Sequence, residues 1–174
     1  KLKSSVEDIL LITGSLSPNS SILKKFIGEI ETANIHHSFR IDRDSWNIEP
    51  LLTEYSNLKM IVLDDFPINN DDINILQKIF AISQDQHLSV IYFEGPLGNL
   101  NAGEMIRSYF PYFVAHPEDP ALLMNISQQS SWMETYGIHL DKLPPQHRSI
   151  KWISNEKPLI SYMDDSVLLG NKNN

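Results

Sequence analysis

The chain contains no cysteine. That absence removes disulfides, thiolate metal sites and cysteine nucleophiles together. It has no apolar run long enough to span a bilayer, so no membrane span is expected within it. Positive charge is scarce: 14 Lys and Arg stand against 22 Asp and Glu, a formal net charge of −8. Binding to phosphate backbones needs a clustered basic face, and these basic residues are scattered, with the short pair Lys24-Lys25 on a predicted helix. Nucleic acid is therefore not an expected partner. Gly-x-Gly-x-x-Gly, the phosphate-binding Lys-Ser/Thr loop and Gly-x-Ser-x-Gly are also absent, which leaves a nucleotide site weakly supported and a serine hydrolase with little basis. No other cofactor is called for. His36 and His37 are adjacent on a predicted strand and point to opposite faces, while His87, His139 and His147 are dispersed, so no ligand spacing predicts a metal.

The 174 residues, 41% apolar and 21% charged, suit one well-buried globular domain. The N-terminal stretch from Lys1 to Asp8 is polar and carries no apolar signal core. The chain opens without Met and closes on Gly170 to Asn174, as expected of a piece cut from a longer protein. The compartment stays open.

Short apolar runs alternate with amphipathic segments. Asp8 to Thr13 reads as a buried parallel strand ended by Gly14. Ser15 to Ser21 is a polar loop leading to a helix cap, and Ile22, Leu23, Phe26, Ile27 and Ile30 then recur at helical spacing. Ile35 to Ile41 predicts a second strand with Ile35, His37, Phe39 and Ile41 on one face. Lys59 to Asp64 is a third strand, Asn69 to Asp72 supplies caps, and Ile73, Leu76, Ile79 and Phe80 form the stripe of the next helix. Leu88 to Phe93 is a fourth strand. Ala102 to Tyr109 is a candidate helix, and Ala121 to Ile126, Ser149 to Ser154 and Pro158 to Tyr162 are candidate late strands. The pattern predicts a three-layer α/β domain with a mostly parallel, flavodoxin-like sheet and a short irregular C-terminal extension. Residues 8–110 would form its core and 111–174 its edge strands and cap.

Ligands of such sheets sit beyond the carboxyl ends of the strands. Three loops lie there: Gly14 to Ser21, Asp64 to Asn70 and Glu94 to Asn101. Gly14 and Ser15 open the first, where hydroxyls and helix N-terminal amides suit an anion. Asp64-Asp65 open the second, where paired carboxylates serve a cation, a proton transfer or simple capping. Glu94 opens the third, as a general base if buried, or as a turn-stabilising acceptor. Phe110, Tyr112, Phe113, Trp132, Met133 and Tyr136 are either core of the cap or a partner-binding patch.

The stretch Val90 to Pro96 resembles the strand and nucleophile elbow of the class I glutamine amidotransferase-like superfamily, whose protease-like branch carries Cys-Ala-Gly-Pro at this turn. Here the tetrapeptide is Phe93-Glu94-Gly95-Pro96, so Phe93, or Glu94 after a shift of one residue, stands in the nucleophile's place. The run Met60 to Pro67 and the late Lys157 to Tyr162 resemble a non-catalytic branch of that superfamily. That branch occurs in bacterial membrane-anchored proteins with von Willebrand A-type domains. The order of elements matches over most of residues 8 to 165. The late His-x-Glu pair of the catalytic members has no counterpart except His116-Pro117-Glu118, expected in a proline-interrupted loop. The resemblance implies a non-catalytic binding or assembly module of a larger, envelope-associated bacterial protein, with a protein or small molecule as partner. Two alternatives stay open: a divergent enzyme using Glu94, Asp64 and Asp65, and a receiver-like signalling domain phosphorylated on Asp64. A homodimer through late strands is a further expectation, unranked against a monomer.

Overall fold

The computed structural model describes residues 6–29, 33–43, 45–48, 50, 55, 57–93, 106–107, 109, 113–129, 146–154, 158, 160–165 and 167–169. The chain divides into two compact units, Lys1–Leu97 and Gly98–Asn174.

The first unit is built on a five-stranded sheet. Its strands are β1 (Glu7–Thr13), β2 (Ala33–Asp42), β3 (Ser45–Trp46), β4 (Leu58–Asp64) and β5 (Ser89–Phe93), in the order β3-β2-β1-β4-β5. β1 pairs in parallel with both β2 and β4, and β4 with β5, while the two-residue β3 turns back antiparallel on the edge of β2. Without β3, the order is that of a flavodoxin-like sheet, and the direction of winding reverses between β1 and β4.

Two helices complete the layers: α1 (Pro18–Gly28) and α2 (Ile73–Asp85), the latter entered through a 3-10 turn at Asn70–Asp72. Right-handed crossovers in opposite directions along the sheet place them on opposite faces. Strand alternation agrees. Ile9, Leu11 and Val62 pack with Ile27 and Leu23 of α1. Leu10, Ile12, Ile61 and Leu63 point the other way and are fully buried, as are Leu76 and Ile79 of α2. Strands buried on both faces read as unbroken apolar runs, which is why β1 and β4 stand out in the sequence.

The helix starts follow from side-chain caps. Ser17 accepts from the Ser20 amide and Ser20 from the Ser17 amide, a reciprocal capping box, with Pro18 pre-set for the first turn. The helix therefore begins inside the stretch from Ser15 to Ser21 expected as loop. Asn69 Oδ1 accepts from the Asp71 amide at 2.9 Å, the capping expected of Asn69 to Asp72.

Among its described residues the second unit holds two small sheets. β6 (Phe113–Met124) pairs antiparallel with β8 (Gln146–Ser154). β9 (Ile160–Tyr162) lies between β7 (Ile126–Gln129) and β10 (Val167–Leu169), antiparallel to both. His116-Pro117-Glu118 lies within β6 and not in the expected loop, and the pairing register shifts between Pro117 and Leu122. A proline has no ladder donor, so the irregularity falls where the prolines are. Most of the candidate helix Ala102 to Tyr109 lies outside the described residues.

Candidate functional site

The carboxyl ends of β1, β4 and β5 line up along one edge of the first unit. Thr13 pairs with Asp64, and Asp64 with Phe93, in the strand register. Beyond the last pairs the chain stays stitched: the Gly14 amide donates to the Asp64 carbonyl at 2.9 Å, and the Asp65 amide to the Phe93 carbonyl at 3.0 Å. Gly14, Asp64 and Asp65, read from the sequence as loop openers, and Phe93, at the nucleophile's place in the resemblance, are thus neighbours in space. Ser15 follows Gly14, and its carbonyl accepts from the Ser20 hydroxyl at 3.5 Å. Glu94, Gly95 and Pro96 lie outside the described residues.

Polar and apolar side chains alike are buried at this edge. Thr13 and Phe66 are fully buried, and Asp64 and Asp65 are only 5% and 4% exposed. Asp65 takes a left-handed backbone, φ 47°, a conformation that aspartate tolerates better than most residues. It thereby turns its carbonyl against Gly14. A β-carbon on Gly14 would collide with that oxygen and come 2.8 Å from Ile68 Cγ1. Gly14 permits this close backbone approach. In the following stretch the Ser20 amide is taken by the Ser17 hydroxyl.

A second side chain, from β2, joins the edge. Thr13 Oγ1 donates to Asp64 Oδ2 at 3.2 Å, and His37 Nε2 lies 3.0 Å from the same hydroxyl. A hydroxyl carries one proton, so His37 Nε2–H is the donor in that contact. The chain runs from imidazole to hydroxyl to carboxylate. In a nucleophilic triad the order is hydroxyl to imidazole to carboxylate, with the hydroxyl exposed to substrate. Here the hydroxyl is the buried middle member. The His37 ring packs against Phe39, ring centres 5.1 Å apart, and burial, with a smaller contribution from Lys24, pulls its pKa down to about 4. His37 is therefore neutral at pH 7. In the sequence, Thr13 and His37 carry no motif that assigns them to a site. The available signal was position: Thr13 is the last residue of a strand at the winding reversal, and His37 shares the α1-side face of β2.

His36, on the opposite face, has other partners. Its Nε2 donates to Asp8 Oδ1 at 2.9 Å and its ring meets Tyr55 at 4.3 Å. The two adjacent histidines serve separate contacts, and among the described residues no three His, Asp or Glu side chains gather into a metal-binding group.

A third contact braces the same end of the sheet. Arg40 of β2 donates to Asp72 Oδ1, and its guanidinium sits 4.6 Å above the Trp46 ring. Asp72 Oδ2 accepts from the Ile68 amide at 2.9 Å and the Asn69 amide at 3.3 Å. Trp46 in turn packs edge-on against buried Phe66, 5.8 Å between centres. Asp72 is a built-in anion for amides and guanidinium that would otherwise be free for a ligand.

No helix among the described residues is long and apolar enough to cross a membrane. Comparison of the chain with protein families, with curated proteins and with solved structures finds no match.

Proposed function

We propose that this chain is a non-catalytic, amidotransferase-like binding or assembly module of a larger, envelope-associated bacterial protein. The observation that carries the reading is the closure of the carboxyl edge. In an open α/β sheet the crevice at the winding reversal is where substrate enters. Here Thr13, Asp64, Asp65 and Phe66 are buried, the Thr13 hydroxyl donates to the Asp64 carboxylate, and the Asp65 amide donates to the Phe93 carbonyl. The absence of cysteine removes the nucleophile that the resembled enzymes need. Large apolar side chains are instead displayed on the surface: Ile22 and Phe26, one turn apart on α1, are 67% and 69% exposed. Exposed apolar groups of this size suit contact with a macromolecule better than with a small substrate.

The carboxylate-enzyme alternative needs Asp64 and Asp65 open to substrate, and the receiver alternative needs Asp64 open to a phosphoryl donor. Their burial supports neither. The test is a paired measurement on the purified chain. Glutamine hydrolysis and phosphorylation by a small-molecule phosphodonor are assayed, and a photocrosslinking residue is placed at Phe26 in cells. A discrete protein adduct with no turnover is the expected result. Turnover without an adduct overturns the reading.

A further inference from the structure

We propose that His37, Thr13 and Asp64 form an acid-released clasp, in which protonation of His37 frees its ring from Thr13 and opens the carboxyl edge of the sheet beneath α1. The clasp stands independently of the binding role proposed above.

The geometry sets the trigger. Thr13 Oγ1 spends its one proton on Asp64, so the neutral His37 donates through Nε2 and keeps a bare lone pair on Nδ1. That Nδ1 is buried and has no hydrogen-bond partner. A lone pair left alone costs little beside an unpaired, buried N–H of a cation. Protonation would create that group at the one ring position with nothing to receive it.

The surroundings give it no rescue in place. On β2 itself the neighbour is the Phe39 ring. From α1 the charged neighbour is Lys24, which repels a second cation. From β4 it is Asp64, whose Oδ2 already accepts from the Thr13 hydroxyl standing between it and the ring. From the segment after β3, Asn47 Nδ2 donates to the His37 carbonyl at 3.1 Å and anchors the backbone, so the ring can move without the strand. The ring is half-buried, which leaves it a way out to water. Swung out, it recovers the ordinary histidine pKa. In place, it stays near 4. The out position therefore gains population as pH falls from about 6.5 toward 4.

Loss of the ring removes one wall of the packing around Thr13. The Gly14 and Asp65 amides, which close the edge onto Asp64 and Phe93, report on it. Hydrogen exchange of the whole chain, corrected for intrinsic chemistry, is followed by NMR from pH 7 to pH 4.5. Protection of those two amides is expected to drop roughly 10- to 100-fold, while Leu10 and Leu11 in mid-strand stay protected. His37→Gln keeps an N–H donor toward Thr13 and cannot titrate, so its protection at these amides is expected to be flat with pH. Should that variant not fold, the imidazole nitrogen shifts of the native chain decide. Neutral Nε2–H persisting below pH 5 is expected, and titration near pH 6.5 with unchanged protection overturns the clasp. Equal loss of protection in native and His37→Gln chains overturns it as well.

Discussion

Thr13 and Asp64 are 51 residues apart in the chain, yet the hydroxyl of one donates to the carboxylate of the other at 3.2 Å. Parallel pairing of β1 with β4 brings them together, and neither side chain reaches solvent appreciably. The contact joins the two strands between which the winding reverses, at the edge where such sheets hold ligands.

Thr13→Val removes the hydroxyl and keeps the shape. The Asp64 carboxylate and His37 Nε2–H then lose their shared partner inside the fold. Unfolding in urea is expected to show a loss of about 1–3 kcal/mol, with Thr13→Ser losing about 1 kcal/mol or less. Equal losses for the two variants would mean that the methyl group matters and the hydroxyl does not.

The fold was legible because the strands buried on both faces are written as continuous apolar runs and the helices carry stripes such as Leu76, Ile79 and Phe80. The caps at Asn69 to Asp72 were legible for a local reason, since side chain and amide lie within three residues. The clasp was not. His37 and Thr13 are 24 residues apart, and a histidine in an apolar-faced strand looks like core. The sequence marked Asp64 and Asp65 as a carboxylate pair but says nothing of burial, which depends on Gly14 allowing the Asp65 backbone to close in. The same limit applies to Arg40 and Asp72, whose pairing depends on β2 and the β4–α2 connection meeting across the end of β1.

Gly14→Ala tests the closure sterically. The new methyl would strike the Asp65 carbonyl, which is backbone and cannot rotate aside, with Ile68 behind it. Overpacking of this kind costs about 1–3 kcal/mol or more. A lowered thermal midpoint is expected, together with weaker protection of the Asp65 amide. An unchanged midpoint would show that the two loops do not pack this closely.

Arg40 and Asp72 form a buried ion pair, their side chains 10% and 2% exposed. Removing one partner strands the other, so Arg40→Met and Asp72→Ala are each expected to destabilise by about 3–5 kcal/mol in denaturant titrations. The double variant is expected to be more stable than the sum of the two losses predicts, because neither charge is then left alone. Arg40→Lys keeps the charge but loses the planar guanidinium and its stacking on Trp46, and is expected to recover only part of the loss. Strict additivity would show that the pair is not coupled.

Ile22→Ser and Phe26→Ser probe the displayed face of α1. Both side chains are largely in water, so each change is expected to alter stability by about 0.5 kcal/mol or less. With the photocrosslinking residue placed instead at exposed Asn19, one turn before Ile22, the adduct should be lost in the double variant, at a thermal midpoint within a few degrees of native. A large stability loss would mean that the face is already covered within the folded protein.

Acid should act on the first unit in two stages. His37 is neutral in the fold, its pKa pulled from 6.5 to about 4 by burial and Lys24, so the unfolded chain takes the proton first. Stability is expected to fall as pH drops from about 6.5 to about 4, by roughly 1 kcal/mol after discounting for the half-exposed ring. His37→Gln should flatten that limb. Asp8 behaves differently. Its carboxyl is held below 3.8 chiefly by the hydrogen bond from His36. Its contribution is fully present above that value and is lost as pH falls through the lower folded value, so Asp8→Asn should leave the upper limb intact and change only the region below about pH 4. Urea midpoints at half-unit pH intervals separate the two. A single limb removed by either substitution would mean that the two contacts unfold as one unit, and that the clasp at the carboxyl edge is not free to open alone.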